Sequence, residues 1–167
     1  FTPYSKAWKR KLLTNKPSTY PSENFLDSFI TGLPFYFPPL TDIGFESVEE
    51  QLPNLNIYEE TIKNYNETRN LPAVAGTSYV GIHLRFGTVS IRHMVELADK
   101  LNEQWLNELI WREFFMQLLY HFPYVVHTPF NSRFKNMLWR YDKDEFEKWT
   151  EGKTGYPLVD AGMRELN

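Results

Sequence analysis

The spacing of apolar and polar positions divides this chain into short helical stretches separated by proline-rich turns. Tyr4, Ala7, Trp8 and Leu12 recur at helical spacing among Lys6, Lys9, Arg10 and Lys11, which predicts a short basic amphipathic helix over residues 4–13. Its charged side reads either as a solvated face or as a nucleic-acid contact. Between residues 15 and 43 the periodicity fails: Pro17, Pro21, Pro34, Pro38 and Pro39 cannot all be housed in a helix or a central strand, so an extended linker with short turns is expected. Ser47 and Glu50 have the form of a capping box at a helix start, and Pro53 is a candidate break. Leu55, Tyr58, Ile62 and Tyr65 then step along one face of a helix ending near Asn70, ahead of Pro72.

Further along, Ser90 is the expected N-cap of a helix over residues 91–101, with Ile91, Met94, Val95 and Ala98 as its buried stripe. The segment WLNELIWREFFMQLLYHFP, residues 105–123, predicts the next helix, stopped by Pro123. A turn-rich stretch follows, then a helix around residues 144–149 and a last one starting near Pro157. In that last helix Leu158, Ala161 and Leu166 call for a packing partner, and the segment between Trp139 and Trp149 reads as a helix anchored by its indoles. This amounts to about six helices. Residues 78–84 stay ambiguous, because Val80, Ile82 and Leu84 alternate as in a strand.

Composition narrows the classes. A chain of 167 residues, 42% hydrophobic, has the length of one domain and material for a core. A net charge of -3 argues against a wholesale nucleic-acid coat but leaves room for a local basic groove. With no cysteine there is no disulfide and no thiolate nucleophile or metal ligand. The four histidines lack metal-motif spacing, so no metal site is expected. No apolar run has the roughly 20 residues of a membrane span, and no signal-peptide layout opens the chain; a soluble, cytoplasmic protein is the expectation.

Candidate chemistry concentrates on one helix. Glu108, Trp111, Arg112 and Phe115 share a face, while Leu106, Leu109, Ile110, Phe114 and Leu118 anchor the other sides. Two readings stand: an i,i+4 Glu108–Arg112 ion pair packed between aromatics, or a cavity where rings stack a planar ligand and the charged groups direct hydrogen bonds. Gly76, Thr77 and Ser78 make either a simple capped turn or a phosphate cradle. Lys153 and Thr154 follow Gly152, but the full phosphate-loop pattern is absent, which excludes a nucleotide-triphosphate site of that kind.

In order along the chain, FTPYSKAWKRKL, GTSYVGIHLRFGTVS, WLNELIWREFF and EGKTGYPLVDAGMRELN resemble the DNA photolyase and cryptochrome family. The resemblance implies an all-α, multi-helix FAD-binding domain, with residues 1–45 as an interdomain linker carrying the basic helix and residues 46–167 as the N-terminal part of the helical domain. It implies FAD contacts at Tyr65, Thr77, Ser78, Tyr79, Val80, Gly81, Trp105 and Arg112. It places Arg69, Glu108, Trp111, Arg112 and Phe115 toward damaged DNA, where a pyrimidine dimer is flipped from the duplex. Arg69 would serve a backbone phosphate, Glu108 the base edges and the catalytic step, and Trp139 would be the outermost indole of an electron-transfer chain. The implied activity is light-dependent splitting of cyclobutane pyrimidine dimers by reduced FAD, with an antenna chromophore on a separate N-terminal domain. The expectation is a fragment, inactive alone, because the family's later flavin and lesion contacts would follow Asn167. Tyr79 and Gly81 depart from the Arg and Ser of many relatives, which removes a cation and a hydroxyl from the turn. A flavin photosensor without repair activity and a helical interaction module without flavin are the alternative readings.

Overall fold

In a computed structural model, residues 1–18, 20–30, 32, 36–46, 55 and 57–167 are described. The expected capping box at Ser47 and Glu50, and Pro53, lie outside them. Among the described residues the regular structure is helical, with no strand. The chain forms two compact units, Phe1–Leu118 and Leu119–Asn167.

In the first unit, α1 (Thr2–Thr14) begins with proline in its first turn, where a missing N–H costs nothing, and ends at Asn15. Leu12 is buried and Phe1, Tyr4 and Trp8 pack against the same core. Ala7, expected on that face, is exposed; Ser5 is buried instead. Residues 22–28 and 40–43 are 3-10 turns without a buried residue, in keeping with a proline-punctuated linker.

The helix expected from Leu55 onward starts later and is split into α2 (Glu59–Lys63) and α3 (Tyr65–Thr68). Ile62 is fully buried, but Leu55 and Tyr58 are exposed. The backbone accounts for this: Tyr58 is extended and Asn64 departs from helical geometry, so the apolar spacing spans two segments rather than one face.

The alternating stretch at residues 78–84 is also resolved. Tyr79 adopts a left-handed φ of 50°, and the Leu84 amide donates to the Val80 carbonyl at 2.9 Å, opening α4 (Gly81–Phe86). A four-residue hydrogen bond closes a helical turn and excludes the strand. Gly87, at φ 70°, ends α4 in the left-handed conformation that glycine tolerates.

Helix α5 (Ile91–Leu101) buries Met94, Val95 and Ala98 of the stripe its spacing predicts, while Ile91 is only partly buried against the core. Ser90 occupies the N-cap position, yet its hydroxyl makes no capping bond. The cap that does form is on α6 (Glu103–His121): Asn102 Oδ1 accepts from the Trp105 amide at 3.0 Å, while Asn102 Nδ2 donates to the Lys63 carbonyl at 3.0 Å. One side chain thus starts α6 and ties it to the end of α2, which itself packs on α5. Trp105, Leu106, Leu109 and Ile110 are buried on α6. An ion pair between Lys9 Nζ and Glu103 Oε1, at 2.5 Å, links α1 to its first turn.

In the second unit, two 3-10 turns, Pro123–Val126 and Ser132–Phe134, precede α7 (Lys143–Thr150) and α8 (Pro157–Leu166), which pack together. Asp142 Oδ1 accepts from the Glu145 amide at 3.0 Å and caps α7. Trp139 and Trp149 are exposed rather than buried anchors, and Leu158 and Leu166 are exposed as well. Here the local fold rests on a polar clasp: Asp160, buried, accepts from the amides of Thr154 and Gly155 and from the Thr154 hydroxyl. Among the described residues, no helix is long and apolar enough to cross a membrane.

Candidate functional site

Within the first unit, α3, the turn before α4, and α6 surround a hollow of about 250 Å³. Tyr65 enters from α3. The turn contributes Thr77, Ser78, Tyr79, Val80 and Gly81, and α6 contributes Trp105, Glu108 and Arg112 at one-turn intervals. Leu84 and Leu109 complete the lining, and sequence reasoning assigned neither of them to a site. Leu109 stands four residues after Trp105, so helical spacing already put it on a neighbouring position; only packing showed that the hollow reaches it.

The turn is held from behind by close packing. A Cβ at Gly76 would lie 2.4 Å from Thr68 Cβ and 2.9 Å from the Thr68 backbone carbon, so only glycine allows the approach. The Thr68 hydroxyl donates to the Asn64 carbonyl at 3.1 Å and lies 3.3 Å from the Gly76 carbonyl, close enough to hold the turn against α3.

Charges meet differently from the helical expectation. Glu108 does not pair with Arg112 four residues on. Its Oε1 accepts from Arg69 Nη1 and from Gln104 Nε2, the latter at 3.1 Å. Arg112 Nη2 instead donates to the Leu84 carbonyl at 3.3 Å, at the end of α4. The Glu108 hydrogen bond raises the pKa of Arg69. The Arg69 guanidinium carbon also stands 5.2 Å from the centre of the Tyr65 ring. Burial raises the pKa of the Tyr65 phenol, the Glu108 charge adds to the effect and Arg69 opposes it, so the phenol keeps its proton.

Trp111 and Phe115 are not part of the hollow's lining. The Trp111 indole lies flat on Phe1, ring centres 3.5 Å apart and planes within 6°, with Phe114 edge-on and Phe115 stacked at 5.5 Å. The four residues on one helical face therefore divide: Glu108 and Arg112 face the hollow, while Trp111 and Phe115 join an aromatic cluster with Phe1 and Phe114. Trp139 lies in the second unit, where it lines a separate open concavity with Arg140, Tyr141 and Phe146.

Donors in the hollow suit an anionic planar ligand. The Thr77 and Ser78 hydroxyls have no protein partner among the described residues, and no side chain caps α4 there. Arg112 spends one of its five N–H groups on Leu84, leaving others for a ligand. A volume below the roughly 300–1,000 Å³ of ligand pockets accommodates one part of a dinucleotide, not the whole. The residues fit the phosphate-bearing portion of such a group.

Comparison with known proteins bears on the chain's relatives. Residues 105–167 match the family described as the FAD binding domain of DNA photolyase. Over its whole length the chain is 32% identical to the deoxyribodipyrimidine photo-lyases of Salmonella typhimurium and Escherichia coli, covering 39% of each. It is 39% identical over 121 residues to that of Neurospora crassa, which covers 65% of the chain and 20% of the relative. The chain is thus similar over its whole length to DNA photolyases, and residues 105–167 match part of their FAD-binding domain. It spans well under half the length of these relatives.

Proposed function

We propose that this chain is part of a light-dependent DNA repair enzyme that splits cyclobutane pyrimidine dimers with FAD. The observation that carries the reading is the convergence of Tyr65, residues 77–81, Trp105, Glu108 and Arg112 on one hollow, in a chain related throughout to photo-lyases. In this reading residues 46–167 supply the N-terminal part of the cofactor domain and residues 1–45 lead into it. When bound, the reduced flavin supplies the light-driven electron that opens the cyclobutane ring and receives it back afterwards.

The chain's own groups bind and orient. The Thr77 and Ser78 hydroxyls and the free N–H groups of Arg112 hold phosphate oxygens, and the protonated Tyr65 phenol offers a further donor. Buried Trp105 closes the apolar wall and keeps water from that side. Glu108 accepts hydrogen bonds from a flipped base, whose N–H groups are exposed once it leaves the duplex. Trp111 offers an indole plane for the extruded bases, with Phe1 on the plane in the present arrangement. Trp139, 67% exposed, is assigned as the outer indole of the electron-transfer chain. An antenna pigment on a separate N-terminal domain and damaged DNA as partner complete the reading on the strength of the resemblance, with a cytoplasmic setting as the default expected from the sequence.

The test is photoreactivation by the protein in its full natural length. Flavin absorbance in the purified protein and loss of thymine dimers from irradiated DNA in light, not in darkness, are expected. Absence of either overturns the reading. Trp111→Ala is expected to weaken binding to dimer-containing DNA while leaving flavin content nearly intact, and unchanged affinity would remove the stacking role.

A further inference from the structure

Resting on the reading above, we propose that Arg69 and Gln104 are positioning residues for Glu108: both donate to Oε1, which leaves Oε2 as the acceptor presented to a base N–H. The resemblance assigns Arg69 to a DNA phosphate, but the geometry gives its guanidinium another task. Nη1 is engaged with the Glu108 carboxylate, and the guanidinium carbon stands over the Tyr65 ring. The side chains of Arg69 and Glu108 are 30% and 36% exposed, so water competes only in part for the pair.

Two donors on one oxygen matter for orientation. A carboxylate held by a single donor can rotate about its last side-chain torsion, which is broad and roughly two-fold. Gln104, one helical turn before Glu108, approaches along α6, while Arg69 comes from the residue that follows α3. The two directions determine both the position of Oε1 and the plane of the group. Among the described residues no donor reaches Oε2, and Glu108 lines the hollow. The acceptor left over is thus the one a substrate meets. Preorganising it removes the cost of ordering a flexible side chain at the moment of binding.

Arg69 acting through Glu108 and Arg69 acting on a phosphate leave different signatures. A phosphate contact contributes to all DNA and lowers the salt dependence of binding by about one ion when removed. A positioning contact contributes only while Glu108 is there to be positioned. The experiment uses the protein in its natural length, with Arg69→Gln, Gln104→Ala and Glu108→Gln and their pairwise combinations. Dissociation constants are measured for an oligonucleotide carrying one thymine dimer and for its undamaged counterpart, across a salt series.

Arg69→Gln is expected to weaken dimer binding about tenfold, and Gln104→Ala about two- to threefold. Both losses should shrink to less than about twofold when Glu108 is already Gln, with the salt slope equal to that of the wild type. Arg69→Lys, which keeps a charge but not the planar fork, should recover part of the loss. Losses of the same size in both backgrounds, or a salt slope lowered on undamaged DNA as well, overturn the proposal. A wild type that shows no preference for the dimer defeats the repair reading instead. The positioning claim is then decided without a ligand, by NMR of the ¹⁵N-labelled arginine side chains. Slowly exchanging Arg69 guanidinium protons that are lost in Glu108→Gln support it, and identical spectra refute it.

Discussion

The two units of this chain are held by different forces. In residues 1–118, Ile62, Met94 and Ile110 are fully buried within a cluster that also takes in Leu12, Val80, Val95 and Trp105. In residues 119–167, Gly152 and Asp160 are the buried residues among those described, while Leu138 is 98% exposed and Tyr141 91%. Apolar burial, at about 25 cal/mol per Å², stabilises the first unit. In the second, hydrogen bonds organise the loop, with Asp160 gathering three donors and Arg164 and Asn167 donating to the Gly152 and Thr150 carbonyls. The lesson concerns the candidate hollow: Trp105, Val80 and Leu109 belong both to its wall and to the core, so its shape is as firm as the packing behind it.

The largest way to break the contrast is Ile110→Ala. Emptying a fully buried position is expected to cost about 2–5 kcal/mol, read by denaturant unfolding, with the amide signals of residues 152–160 unmoved. A concerted loss of those signals would show that the units are not separately held. Gly76→Ala should cost about 1–3 kcal/mol by overpacking against Thr68 and should lower flavin retention, measured by absorbance, since the turn must shift.

The second unit should answer to acid instead. The Thr154 hydroxyl bond, assisted by the Thr154 and Gly155 amides and by Arg164, holds the Asp160 pKa below its ordinary 3.8 despite the opposing effect of burial. A folded-state pKa below the unfolded one gives stability that is present above the unfolded value and lost as pH falls through the folded value. The Thr154 and Gly155 amide resonances should therefore move on acidification below the usual carboxylate range, and Asp160→Asn should abolish that titration. The smallest effect is expected from Tyr79→Gly, a gain of up to about 1 kcal/mol from relief of the left-handed backbone, seen as a slightly higher unfolding midpoint.

Much of this fold is legible in the chain itself. Proline placement marks the 3-10 turns at residues 22–28 and 40–43, the spacing of Met94, Val95 and Ala98 gives α5 and its buried face, and Pro123 and Pro157 bracket the helices around them. The face shared by Glu108 and Arg112 is legible too, because a helix repeats every 3.6 residues whatever surrounds it. The left-handed Tyr79 is not: a bulky residue carries no signal for that conformation, so alternation at residues 78–84 is as consistent with a strand as with a helical turn.

The amino-acid order by itself determined where α1, α5, α6, α7 and α8 lie to within a few residues, and which side chains leave each axis in the same direction, but not the late start and split of α2 and α3 nor the helical state of α4. Tertiary structure alone decided who meets whom. Glu108 takes a partner 39 residues away rather than the arginine one turn ahead, Trp111 lies on Phe1, and Asn102 joins two helices. The physical reason is range: periodicity is set by local backbone geometry, whereas ion pairs and ring stacks are chosen through space by segments that the packing of a core brings together.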